Sequence, residues 1–115
     1  MVSNHGGRAL DHTPGTAEVL GVIAARLRGM SSRPVLLVDG GFRRGEDVLK
    51  GLALGADGVM VGRPAVRGAV GGGAEGVRLV LEDLTRGLRT AMTLTGCPDL
   101  ASVGPRVLFR REEAT

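Results

Sequence analysis

Near its start the sequence reads Ser3-Asn4-His5-Gly6-Gly7-Arg8, with Leu10-Asp11 just beyond, so an imidazole and a guanidinium share one glycine-rich turn. Histidine, with an unperturbed pKa near 6.5, exchanges protons at neutral pH. Arginine offers a planar fork that grips a carboxylate through two parallel hydrogen bonds. Together they suit one operation: holding a small acid by its carboxylate while a proton leaves the neighbouring carbon or its hydroxyl. Asp11, or another carboxylate, would orient the imidazole. A His-x-x-Arg pair taken alone reads as an ordinary solvated loop, so its meaning depends on the rest of the chain.

Two further constellations change that reading. Asp39-Gly40-Gly41-Phe42-Arg43-Arg44-Gly45 follows an apolar run and precedes a helical pattern, and Gly62-Arg63-Pro64 holds the same place after the next apolar run. Glycine lets backbone amides approach an anion closely, and a helix N-terminus adds partial positive charge. Either loop by itself reads as a strand-to-helix turn. Two in succession, each with an arginine, could clamp one phosphate, and phosphate sites of α/β barrels recur after the seventh and eighth strands.

The elements that must position these groups alternate. Thr13-Pro14 reads as a helix N-cap and first turn, and Leu20, Ile23, Ala24 and Leu27 lie on one face of a helix over 14–28. The unbroken run Pro34-Val35-Leu36-Leu37-Val38 predicts a parallel strand buried on both faces. Val48, Leu49, Leu52 and Ala53 mark a second helix closed by Gly55, and Gly58-Val59-Met60-Val61 a second strand. Arg63-Pro64 opens a short helix that ends at Gly71-Gly72-Gly73. Val77, Val80, Leu81, Leu84, Leu88 and Met92 then define the face of a final helix over 74–95, closed by Gly96. The tail over 97–115 ends in Arg110-Arg111-Glu112-Glu113, expected to fray or dock elsewhere. Strand, glycine loop, helix, repeated, is the α/β pattern of a parallel sheet with crossover helices.

Composition bounds the rest. The chain has 115 residues, whereas a complete eight-stranded barrel takes roughly 250. With 43% hydrophobic residues a core is available, but two Phe and no Trp or Tyr leave the packing to aliphatic side chains. The net charge of +3 comes from dispersed arginines, and without aromatics for base stacking the chain lacks a nucleic-acid footprint. One cysteine, Cys97, excludes an internal disulfide and points to a reducing, cytoplasmic setting; it reads as a packed thiol. His12 has no second histidine or cysteine at ligand spacing and reads as a solvated loop residue, so no metal site is expected. No signal peptide and no membrane span are read from the sequence.

SNHGGR followed by LD, and VDGGFRRGEDVLKGLALGADGVMVGRP, resemble the FMN-dependent 2-hydroxy-acid oxidising family, which includes glycolate oxidase and the lactate and mandelate dehydrogenases. The likeness runs from Val2 to about Val103, including Gly96, Cys97 and Leu100. It implies the C-terminal part of a TIM (β/α)8 barrel, from the end of the sixth strand through the eighth strand and final helices. On that likeness residues 1–12 form the active-site strand end and loop, and 34–64 two phosphate-binding strand-loop units. His5 would be the base, Arg8 the carboxylate binder and Ser3 a flavin contact. Asp39, Gly40, Gly41, Phe42, Arg43, Gly62 and Arg63 would hold the ribityl-phosphate part of FMN. The implied reaction is oxidation of an L-2-hydroxy acid to the 2-oxo acid.

This sequence departs from the family in two ways. Ala9 stands where glutamine is usual, and the family's upstream tyrosines and fifth-strand lysine have no counterpart, since Lys50 is the sole lysine. Three other readings follow: a non-catalytic truncated remnant, a piece completed by an N-terminal half-barrel partner or by self-association, and another FMN or phosphate-binding barrel of the purine-nucleotide dehydrogenase or isoprenoid isomerase kind. SNHGGR argues against the last.

Overall fold

The computed structural model describes residues 1–109; the charged run at 110–113 lies outside them. Helix α1 spans Thr16–Arg28, strand β1 Leu37–Val38, helix α2 Gly45–Ala53, strand β2 Gly58–Val59 and helix α3 Arg63–Leu94, with single 3-10 turns at His5–Gly7, Leu100–Ser102 and Pro105–Val107.

β1 pairs with β2 in parallel, Leu37 opposite Gly58 and Val38 opposite Val59. Val2 adds a parallel bridge to Val38 on the other side, through Val2 N–H to the Leu37 carbonyl at 2.7 Å and Asp39 N–H to the Val2 carbonyl at 3.1 Å. Three successive segments thus run side by side in one direction, and the turn that follows each leaves at the same end of the sheet. That end carries His5, Gly40-Gly41 and Gly62.

The expected strand over 34–38 is ladder-paired only at its end, and it is buried on one face rather than two. Leu36 and Val38 are buried against α1 and its neighbours, whereas Val35 is 71% exposed and Leu37 half-buried. Side chains alternate across a strand; the helices bury one face, and the other is left the more exposed. Similarly, the second strand is ladder-paired at Gly58–Val59 and not through Val61, and Met60 is 44% exposed.

α1 buries the face read from its periodicity, with Leu20 and Ala24 at 0–1% exposure. It starts two residues later than Thr13-Pro14 suggests. Asn4 Nδ2 donates to the Pro14 carbonyl at 3.3 Å, Gly15 is extended, and the buried Thr16 hydroxyl donates to the Asp39 carbonyl at 2.5 Å. Thr16, and not Thr13, therefore anchors the helix start to the end of β1.

The glycine run breaks α3 into two helical arms at Gly72-Gly73, where the sequence places the end of a short helix and the start of the final one. Gly72 and Gly73 leave helical geometry, Gly73 at φ +57°, and the two arms fold back so closely that a Cβ at Gly68 would stand 2.6 Å from the Gly76 carbonyl oxygen. The longer arm packs on α2 through Leu84 and Ala91. Leu81, expected on that face, is 49% exposed. Cys97 is buried, with Arg106 Nη2 at 3.4 Å from its sulfur.

Candidate functional site

The His5 turn is built by local bonds. Gly7 N–H donates to the Asn4 carbonyl at 3.0 Å, and His5, Gly6 and Gly7 all take positive φ, at +55°, +66° and +69°. For a side chain with a β-carbon that region is sparsely populated and must be imposed by neighbours. Here His5 N–H donates to Ser3 Oγ at 3.1 Å, and Ser3 Oγ donates in turn to Asp39 Oδ1 at 2.7 Å.

The second loop turns through Gly40 and Gly41 at φ +94° and +88°. Gly40 has no room for a side chain, since a Cβ there would meet Thr16 Oγ1 at 3.0 Å and Asn4 Oδ1 at 3.1 Å; Gly41 faces open space. Phe42 is buried at 7% exposure, which leaves Arg43 projecting outward. Asp47 closes this loop onto α2, its Oδ2 accepting from the backbone N–H groups of Arg43 and Arg44 at 3.1 Å each. The third loop places Gly62, also facing open space, and Arg63 at the N-terminus of α3.

All three loops line one open cleft of about 600 Å³: Asn4, His5, Gly6 and Arg8 on one side, Asp39, Gly40, Gly41, Phe42 and Arg43 along another, and Gly62, Arg63 and Pro64 closing it. Of the ten residues to which the family resemblance assigns a substrate, flavin or phosphate role, Ser3 alone is absent from the lining, with its hydroxyl engaged by Asp39 and His5. Asp11 is exposed, and among the described residues no carboxylate is hydrogen-bonded to the His5 imidazole. A base, three guanidinium groups and glycine-edged backbone thus share a single concavity, which suits an anionic cofactor beside a carboxylate substrate.

Three participants were not legible beforehand. Asn4 lines the cleft and ties the His5 loop to Pro14, and its Oδ1 is buried without a donor among the described residues. Thr16 holds Asp39, and Gly6 accepts from Arg63 Nη2 at 3.1 Å. Asn4 and Gly6 at least stood inside the SNHGGR motif, although nothing there signalled contacts made across the fold; Thr16 gave no signal at all.

Residues 1–110 match the family described as FMN-dependent dehydrogenase. The chain belongs to that family. Among its relatives, a 2-hydroxyacid oxidase of Dictyostelium discoideum is 47% identical over 95% of this chain and 27% of its own length. A peroxisomal (S)-2-hydroxyacid oxidase of Arabidopsis thaliana is 45% identical over 90% of this chain and 28% of its own. Solved structures of mandelate oxidase superpose with a TM-score of 0.82 at 47% identity, covering 89% of this chain and 30% of theirs. One such structure carries (S)-mandelic acid and another an FMN adduct. This member of the FMN-dependent dehydrogenase family therefore spans under a third of the length of the relatives it matches. Among the described residues, no helix is long and apolar enough to cross a membrane.

Proposed function

We propose that this chain supplies the proton-handling and phosphate-holding part of a site that oxidises an L-2-hydroxy acid to the 2-oxo acid with FMN. The convergence of His5 and Arg8 with two glycine-arginine loops in one cleft carries that reading. The resemblance assigns these loops to the end of the sixth strand through the eighth strand of a (β/α)8 barrel, and their common exit from one end of a parallel sheet supports it, since barrel enzymes work at the C-terminal ends of their strands.

The residues present fit the cofactor. Gly41 and Gly62 leave their backbone open where a Cβ would intrude on a ligand, and Arg43 and Arg63 add positive charge on either side. These four, with Asp39, Gly40 and Phe42, would hold the ribityl phosphate. FMN, when bound, would accept the two electrons and one of the two hydrogens that the substrate loses, the other hydrogen leaving as a proton to a base. Arg8 holds the substrate carboxylate, which turns the α-carbon toward His5, and His5 takes up one proton. Ser3 already spends its O–H on Asp39 and accepts from His5, so a flavin contact would fall to its remaining lone pair.

The exposed apolar residues Leu10, Val35 and Met60, at 68%, 71% and 44%, favour a working form in which the remaining strands of the barrel cover this face. An N-terminal half-barrel or self-association would supply that cover, and the chain alone would then be inactive. A reducing compartment such as the cytoplasm suits the single thiol. Purified protein alone and together with a supplied N-terminal half-barrel should be compared for flavin absorbance and for bleaching by lactate, glycolate or mandelate. A His5→Ala variant that reduced its flavin as fast as the parent would remove His5 from the role of base.

A further inference from the structure

One contact joins the His5 turn to the third loop and is not used by the proposed chemistry. Arg63 donates from Nη2 to the carbonyl of Gly6 at 3.1 Å. A Cβ at Gly6 would stand 3.0 Å from that same Nη2, on a backbone already at φ +66°, so glycine at this position serves both the turn and the approach of the guanidinium. The carbonyl being held belongs to the residue directly after His5.

His5 sits at φ +55°, a conformation its own side chain disfavours, so outside bonds must hold it. Ser3 Oγ fixes the amide side of the residue, and Arg63 fixes the carbonyl side through Gly6. A guanidinium carries five N–H donors in one rigid plane. Gly6 uses one, and the rest of the group faces the cleft shared with Arg43 and Gly62.

We propose that Arg63 is a positioning residue that couples the two halves of the site. An anion held on the Gly62-Arg63 turn immobilises the guanidinium plane, and the plane in turn immobilises Gly6 and the left-handed backbone of His5. The base is then held more firmly in its working geometry when the phosphate site is filled. This rests on the reading above that the anion is the phosphate of FMN. Lysine at position 63 would keep the charge but, with its three donors on one compact ammonium at the end of a flexible stem, would lose the rigid plane that ties the anion to the carbonyl in fixed geometry.

The test uses the full chain labelled with nitrogen-15, titrated separately with FMN, inorganic phosphate and riboflavin. Amide shifts and exchange rates are followed at residues 5–8 and 40–43. FMN and phosphate should shift both groups and slow exchange at His5 and Gly7 by roughly fivefold or more, as closing of a local opening does. Riboflavin, which lacks the phosphate, should leave that exchange unchanged. In Arg63→Lys the response at 40–43 should persist while that at 5–8 is lost. The coupling is overturned if 5–8 stay unmoved in the parent while 40–43 respond, or if Arg63→Lys responds at 5–8 as the parent does; the cofactor reading survives either result. No response at 40–43 to FMN or phosphate would overturn both.

Discussion

Ser3 and Asp39 lie 36 residues apart and are joined by a 2.7 Å hydrogen bond from the serine hydroxyl to Asp39 Oδ1, while the same hydroxyl accepts from His5 N–H. The end of β1 therefore holds the backbone of the histidine turn through one oxygen atom. Asp39 is fixed in turn from the helix side by Thr16.

Replacing Ser3 by Ala removes the link between Asp39 and the His5 amide but no residue of the cleft lining. A partly exposed hydrogen bond to a charged acceptor contributes about 1 kcal/mol, so flavin reduction should slow by roughly fivefold to tenfold. FMN affinity should stay within about twofold of the parent, and Ser3→Thr, which keeps the hydroxyl, should recover most of the rate. Stopped-flow reduction and a flavin fluorescence titration on the flavin-loaded protein separate these. A large loss of affinity with an unchanged rate would instead make Ser3 chiefly a flavin ligand.

Arg8 is exposed on the cleft wall, and its proposed work is done by two parallel donors. Arg8→Lys keeps the charge and loses the fork, so KM for the hydroxy acid should rise by about tenfold or more while kcat falls less. Steady-state kinetics on the flavin-loaded protein give both. An unchanged KM would assign the carboxylate to another group.

Local signals carried much of this fold. Glycine and proline marked the loop at Asp39 to Gly45, the end of α2 at Gly55 and the bend at Gly72-Gly73, and the spacing of Leu20 and Ala24 gave the buried face of α1. Each depends on a few adjacent residues. Long-range contacts escaped the sequence: Arg63 reaches Gly6 across 57 positions, and Thr16 reaches Asp39 across 23. The exposure of Leu81 and Val35 escaped for a related reason, since an apolar pattern records that a face wants cover without saying whether these residues provide it. The candidate site residues were named through family resemblance, and the fold shows that all of them but Ser3 line one cleft.

Asp57 ties the start of β1 to the start of β2. Its carboxylate accepts from Leu36 N–H at 2.7 Å and from Arg33 at 3.0 Å, and these bonds, the backbone one first, hold its pKa below the usual carboxylate value. A group whose folded pKa is lowered stabilises the fold above its unfolded pKa and loses that contribution as pH falls through the folded value. Asp57→Asn should therefore lower the thermal midpoint at neutral pH, and the difference from the parent should shrink below about pH 4 and vanish in stronger acid. A difference that persisted at pH 2 would show that packing and not charge was lost. Because the pair is well exposed, sodium chloride should weaken only the Arg33 part.

Gly45 opens α2 where that helix packs backbone to backbone against α3. A Cβ at Gly45 would overlap the backbone N of Leu88 and stand 2.6 Å from the Gly87 Cα, and no flexible side chain is there to move aside. Gly45→Ala must push the helices apart, at a cost of about 1–3 kcal/mol. It should also loosen the Arg43 amide that Asp47 secures one turn away, and so weaken FMN binding. Gly87→Ala meets Gly45 at a more tolerant 3.2 Å and should cost less. Gly71→Ala is the control: it faces open space at the end of the first arm of α3, and alanine there should be neutral or stabilising by up to about 1 kcal/mol. Urea midpoints of the three variants should therefore rank Gly45→Ala lowest and Gly71→Ala highest. Equal midpoints for Gly45→Ala and Gly71→Ala would mean that α2 and α3 do not meet backbone to backbone at this crossing.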